Sequence, residues 1–374
     1  MISAVSLDSV LIGSEIYRNS SYGRGHPLAI PRVSATLDLI RAMGWLTDGA
    51  YIESPRATPA QLIRFHEPDY VAALMRAERG ARPSEEERRR FNIGRNGNPI
   101  FPEIFSRPAT ACGATLKAVE LLLEDGGIVY NPAGGTHHGR PGHASGFCYL
   151  NDAVLGILAF LDGGLRRIYY VDVDAHHGDG VQDAFADDPR VLTLSIHESG
   201  RWPYTGATED RAGGGARNLP VPSGFNDSEM RWLVETVVLP LGRAFAPDAV
   251  VLQCGADALA DDPLSGLALS NRALWDVVRQ LIGLAPRLLV LGGGGYNPWA
   301  VARCWAGVWA VLNGLDPGAS EPTPAAREVL RAITWTRSQG RNPPEHWMTT
   351  IADRPRPGPV REAVRAVAAA ALRP

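Results

Sequence analysis

At 374 residues, with 45% hydrophobic residues and a formal net charge of -3, the chain has the composition of a globular protein large enough to bury a sizeable core. That charge balance argues against direct nucleic-acid binding or a membrane-coating role, since both need a marked basic excess. Residues 1–20 lack a basic segment followed by a long apolar run, so neither a signal peptide nor a membrane span is expected, and the cytoplasm is the default location. Cys112, Cys148, Cys254 and Cys304 are widely spaced in apolar or small-residue surroundings, which predicts buried thiols rather than a disulfide frame or a zinc ribbon.

In chain order, residues 4–12 read as a first strand, 20–31 as a Gly/Pro-punctuated loop carrying His26, and 33–43 as a helix. Thr58 followed by Pro59 opens another helix; 65–70 interrupt it and 71–79 resume helical. The run of three glutamates and three arginines at 85–90 places opposite charges three and four apart, the pattern of a solvated helix face. Residues 92–108 form a long loop, a length that in a compact domain is frequently functional, and 109–123 read as a helix.

A repeated unit then appears: a short apolar strand, a turn rich in glycine or acidic residues, and a helix. Strands are predicted at 127–130, from Ile168, at 190–196, 248–253 and 287–291, with a helix at 151–161. Strands alternating with helices imply a mostly parallel, doubly wound α/β sheet, whose ligands bind beyond the carboxyl ends of the strands. His137, His138, Asp174, His176, Asp257 and Tyr296 all fall at or just after such ends. Any one of them is more readily structural, but six on one edge point to a single crevice. Around Asp172, Asp174 and His176, strand alternation would project all three to one side where the strand meets a Gly-rich turn. Carboxylate and imidazole converging there suit a divalent metal, although a lone Asp-x-Asp also serves as turn chemistry or a helix cap. Competing motifs fail. From Gly292 a dinucleotide fingerprint would need glycine or alanine where Asn297 stands, there is no phosphate-binding G-x-x-x-x-G-K-[ST], and no G-x-S-x-G supports a serine hydrolase.

The segments Gly135-Thr136-His137-His138, Ala144 through Asp152, Val171 through Gly180, Gln253-Cys254-Gly255-Ala256-Asp257 and Gly292 through Tyr296 resemble the zinc-dependent histone deacetylase superfamily. That superfamily also holds bacterial acetoin-utilisation proteins and acetylpolyamine amidohydrolases. The resemblance covers about 22–312 and implies the arginase/deacetylase fold, a mostly parallel sheet with helices on both faces. One catalytic domain is then expected over 1–316, followed by a Pro-rich extension over 317–374 with a helix at 361–372.

Carried over residue by residue, the resemblance makes Asp174, His176 and Asp257 the ligands of one catalytic zinc ion, with an open coordination position. It makes His138, oriented by Asp179, the general base, and His137, held by Asp172, an electrostatic partner. Tyr296 would donate its hydroxyl to the tetrahedral oxyanion, and its presence matters because weakly active relatives replace it. Gly146 and Phe147 would line a narrow tube opposite Trp202, where the family usually has phenylalanine. Asp172, Asp174, His176, Ser195 and Ile196 match a structural potassium site, and Phe185, Asp188 and Val191 match part of a second monovalent site.

The implied activity is removal of an acyl group, in particular acetyl, from an N-acylated amine such as acetyl-lysine or a small acetylated amine. Acetylpolyamine hydrolysis and a silent acyl-amine-binding module are the alternatives, and self-association is left open. Two departures bear on the choice. Gly97 stands where peptide deacetylases carry an aspartate that grips the substrate backbone, so Gly97→Asp is expected to favour peptide substrates. Leu264 stands where polyamine deacetylases carry a glutamate that reads a distant ammonium.

Overall fold

A computed structural model of the chain describes residues 9–373. Eight strands, β1 (Ser9–Gly13), β2 (Tyr51–Glu53), β3 (Gly127–Asn131), β4 (Ile168–Asp172), β5 (Val191–Glu198), β6 (Ala216–Val221), β7 (Ala249–Gln253) and β8 (Arg287–Leu291), form one sheet. Their order is β2-β1-β3-β8-β7-β4-β5-β6, and every adjacent pair is parallel. Residues 4–8 of the expected first strand lie outside the described residues.

Because side chains alternate along a strand, each buried strand feeds two cores. On β4, Tyr169 and Val171 join a core built with α1 (Arg32–Ala42), while Ile168 and Tyr170 join the opposite core with α2 (Ser106–Asp125) and α3 (Asp152–Asp162). The first core also contains α4 (Asn271–Leu281) and α5 (Pro298–Leu312). A third cluster gathers Tyr22, Tyr70, Phe91, Tyr149 and Tyr296, most of them from loops.

Apart from Arg303, helix α5 is apolar around its circumference, and it is buried throughout. Asn297 caps it by accepting from the Trp299 and Ala300 amides, with Pro298 at its first position. Its indoles each find a partner: Trp305 donates to the Cys254 carbonyl (2.9 Å) and Trp309 to the Trp45 carbonyl (2.9 Å). Truncating a tryptophan buried this way costs about 3–5 kcal/mol, so the contact of α5 with the end of β7 is a stiff one.

Several boundaries differ from the sequence pattern. The helix expected at 71–79 is Pro68–Glu78, because Pro68 occupies its first turn after the extended Glu67. The loop after residue 92 ends earlier, at Ser106, where α2 begins. Residues 317–373 pack onto the first core: α6 (Pro324–Ala332), α7 (Glu345–Thr349) and α8 (Glu362–Ala371) bury Leu330, Trp347, Val364 and Ala368 against it. All four cysteines are buried and free. No helix among the described residues is long and apolar enough to cross a membrane.

Candidate active site and metal centre

The four middle strands, β3, β8, β7 and β4, end side by side, and the turns leaving them bring His137, Tyr296, Asp257 and Asp174 together. The Nδ1 of His176 lies 2.9 Å from Asp257 Oδ2 and 3.2 Å from Asp174 Oδ1. One ligand atom from each of the three residues falls within 4.8 Å of the others, and all three residues are buried. Backbone amides fix the carboxylates: Gly294 N–H donates to Asp174 Oδ2 (2.7 Å) and Ala175 N–H to Asp257 Oδ1 (2.9 Å).

The electrostatics of this cluster call for positive charge. Burial, then the charge of Asp174, pushes the Asp257 carboxyl up to about 6. Burial pulls the His176 imidazole down, but the two carboxylates more than offset it and raise it to about 10. Two carboxylate oxygens and one imidazole nitrogen fit a zinc ion and leave a coordination position free.

Asp172 does not join this ligand set. The strand ends at Asp172, so alternation no longer governs the residues after it. Asp172 Oδ2 instead meets His137 Nδ1 at 2.7 Å and accepts from the Tyr170 hydroxyl at 2.7 Å. His138 Nδ1 lies 2.6 Å from Asp179 Oδ1, whose other oxygen accepts from Arg140 at 2.5 Å. Burial lowers His137, but Asp172, Asp174 and Asp179 raise it to about 9; burial and the neighbouring His137 charge lower His138 to about 3 despite Asp179. The difference lies in the charges around each ring: His137 faces the carboxylates of Asp172 and Asp174, whereas His138 faces the charges of His137 and His176 with Asp179 alone to offset them.

The loop carrying both histidines is held from α3. The Asn151 side-chain amide donates to the carbonyls of His137 (3.1 Å) and Gly139 (3.0 Å) while its oxygen caps the helix at Val154. The fully buried Asp152 accepts from Gly135 N–H, Thr136 N–H and the Thr136 hydroxyl.

A cavity of about 810 Å³ opens onto this centre, lined among others by His138, Gly146, Phe147, His176, Trp202 and Tyr296. Gly146 adopts φ +52°, and a Cβ there would come within 2.5 Å of the Trp202 ring and 2.6 Å of His138, so glycine is required for the indole to lie against the histidine. Leu264 is also on the wall, and Glu198 pairs with Arg201 at the rim. Tyr296 sits with its ring centroid 6.1 Å from that of Phe147. Burial, then the charges of Asp257 and Asp174, pushes its hydroxyl well above the usual tyrosine range, so it stays a proton donor.

Ser195 and Ile196 lie on β5, where Ser195 is in register with Asp172. The Ser195 hydroxyl is 2.9 Å from His197 Nδ1. Phe185, Asp188 and Val191 share one turn, with Asp188 N–H donating to the Phe185 carbonyl and Val191 N–H to the Asp188 carbonyl. Gly97 stands behind Phe147, at φ +81°, and a Cβ there would come within 2.7 Å of that ring. A side chain introduced by Gly97→Asp would have to displace the Phe147 ring before its carboxylate could reach a substrate. The pattern of the sequence gives no hint of Asp262, whose buried carboxylate accepts the Tyr296 N–H at 2.6 Å. An Asp-Pro pair reads locally as a turn.

Residues 26–312 match the histone deacetylase domain family. The chain is 39% identical to histone deacetylase 6 of Arabidopsis thaliana over 306 residues, which is 79% of this chain and 64% of that protein. It thus spans just under two thirds of that relative's length. It is 34% identical to the acetoin utilization protein AcuC of Bacillus subtilis (strain 168), with 84% of each chain covered. The crystal structure of an HDAC homologue from Aquifex aeolicus superposes with a TM-score of 0.91 at 35% identity, covering 97% of this chain and 99% of that one. The parallel sheet with helices on both faces is accordingly the arginase/deacetylase fold. This chain belongs to the histone deacetylase family.

Proposed function

We propose that the chain is a zinc-dependent amidohydrolase that removes an acetyl group from an N-acylated amine, either acetyl-lysine or a small acetylated amine. The observation that carries this reading is the convergence of the Asp174, His176 and Asp257 cluster, the two carboxylate-backed imidazoles and Tyr296 around one cavity. Asp174, His176 and Asp257 would hold the zinc ion, which when bound supplies Lewis-acid polarisation of the amide carbonyl and acidifies water.

The chain's own residues supply the rest. Asp179, lowered by its bonds to His138 and Arg140 against the effect of burial, is an acceptor only, so His138 Nδ1 carries the hydrogen between them. Its Nε2 is then left as the base that takes a proton from the attacking water and returns it to the departing amine. His137, held by Asp172, offsets negative charge developing beside it. The Tyr296 hydroxyl donates to the oxyanion formed when water adds to the carbonyl. Phe147 and Trp202 flank the methylene chain of the substrate above the reacting carbonyl. A monovalent cation, potassium, is assigned to Asp172, Asp174, His176, Ser195 and Ile196, with a second at Phe185, Asp188 and Val191.

At the rim, Leu264 is apolar and the Glu198 carboxylate is already paired with Arg201, which disfavours a substrate chosen for a distant ammonium. A module that only binds acyl amines has no use for two backed imidazoles and a buried tyrosine hydroxyl. The test is acetate release from a panel of acetyl-lysine peptides and acetylpolyamines, before and after chelation and after zinc is restored. Turnover that survives complete metal removal rejects the proposal.

A further inference from the structure

Tyr296 is the last residue but one before α5, and the adjacent pair Asp261 and Asp262 bonds to Asn297 and to Tyr296 respectively. Asp262 accepts its N–H at 2.6 Å and the Leu264 N–H at 2.9 Å. The carbonyl of Asp261 accepts from the Asn297 side chain at 3.2 Å. The carboxylate of Asp261 faces the other way, where it accepts the indole N–H of Trp347 at 3.0 Å. Trp347 belongs to α7, beyond residue 312, where the family match ends.

The same stretch grips the first turns of α5. Trp347 is 4% exposed and stacks on Trp299, with centroids 5.5 Å apart and planes 29° apart. The Trp299 indole donates to the Leu330 carbonyl at 2.8 Å. One turn further along α5, the fully buried Arg303 donates to the Thr350 carbonyl at 2.8 Å and pairs with Asp353. Asp353 N–H in turn donates to Asn271 on α4. Residues 330–353 therefore fasten both partners of one junction, the start of the helix that follows Tyr296 and the loop that follows Asp257.

We propose that Trp347, acting through Asp261, is a positioning residue for Tyr296, and that the C-terminal extension fixes the distance between the tyrosine hydroxyl and the metal cluster. The proposal rests on the reading of Tyr296 as the oxyanion donor. A donor aimed at charge that appears only in the transition state loses most of its value when it is displaced by a fraction of an ångström. The backbone hydrogen bond to Asp262 sets the angle of the Tyr296 residue. Trp347 prevents the loop 261–264 from sliding.

The test is a double-mutant cycle on the full-length holoenzyme. Trp347→Phe keeps an aromatic ring against Trp299 and removes the N–H that reaches Asp261 together with part of the ring system, and the Asp261 variants separate the two effects. In the wild-type background it is expected to lower kcat roughly tenfold with KM changed by less than about twofold, at unchanged zinc content. In a Tyr296→Phe background, where no hydroxyl remains to be placed, it is expected to change kcat by less than about twofold. Asp261→Leu should reproduce the effect of Trp347→Phe, whereas Asp261→Asn, which keeps an acceptor oxygen, should restore most of the rate. Equal losses in both backgrounds, or no loss in the wild type, overturn the proposal while leaving Tyr296 in the mechanism. Full turnover in Tyr296→Phe alone removes both readings.

Discussion

The imidazoles of His137 and His138 lie with centroids 3.9 Å apart, yet each is bonded to a different carboxylate. Asp172 serves His137 and, among the described residues, bonds to no lysine or arginine, while Asp179 divides itself between His138 and Arg140. His138 lines the cavity and packs against Trp202 at 4.6 Å between centroids. Adjacent residues in the chain thus acquire different chemistry from their partners rather than from their identity.

It follows that the two histidines should fail differently. His138→Ala is expected to lower kcat by roughly a hundredfold to ten-thousandfold, the range for losing a general base. His137→Ala should cost less, on the order of ten- to a hundredfold, because it removes electrostatic support and no proton acceptor. Single-turnover acetate release at saturating substrate measures both. A larger loss in His137→Ala than in His138→Ala would show that the roles are reversed.

Much of this centre was legible because strand ends are legible. Ile168 to Val171 and Arg287 to Leu291 are short apolar runs followed by glycine or acid, and in a parallel sheet such ends must share an edge. What escaped depends on contacts between distant segments. Helix α5 has no polar face to give it a period, and β2 is three residues long and only partly buried, so neither announces itself. The grouping of Asp172 with Asp174 assumed that the strand ran on, whereas Asp172 is its last residue and keeps the face of Tyr170 beside His137, and Asp174 lies beyond the strand's alternation. Asp261 and Asp262 gain their meaning only from Trp347 and Tyr296, which are 86 and 34 residues away.

The rim offers a second prediction. Position 97 combines φ +81° with a Phe147 ring 2.7 Å from any added Cβ, and its carbonyl is 2.9 Å from His26 Nε2. Gly97→Asp should cost roughly 1–3 kcal/mol from the backbone conformation alone. By pushing Phe147 off the cavity wall, it should also lower kcat/KM for acetyl-lysine peptides and acetylpolyamines alike. Selective improvement of peptides in that variant would mean that the loop rearranges to present the carboxylate. Denaturant midpoints and the two efficiencies measured together distinguish the outcomes.

A third prediction concerns acid sensitivity at a residue remote from the metal cluster. His66 is buried, with Nδ1 3.0 Å from the Arg140 carbonyl and Nε2 accepting the Asn151 N–H at 3.0 Å. The neutral ring thus has one donor and one acceptor satisfied, and a proton on Nε2 would break the bond to Asn151. Burial lowers this imidazole to about 4, against the two backbone carbonyls that would raise it. In the unfolded chain it titrates near the ordinary value of about 6.5, so the unfolded state binds the extra proton first as the pH falls. Stability from this group is therefore complete above about 6.5 and is lost progressively down to about 4, with a loss of about 2 kcal/mol between pH 7 and pH 5. His66→Gln keeps a donor and an acceptor but does not titrate, so its unfolding free energy should fall less over that interval by about the same amount. Because Asn151 also holds the carbonyls of His137 and Gly139, protonation of His66 should loosen the histidine loop before the domain unfolds. Urea unfolding of both proteins at pH 5 and pH 7 gives the comparison, and parallel losses in wild type and His66→Gln would exclude His66 as the group responsible.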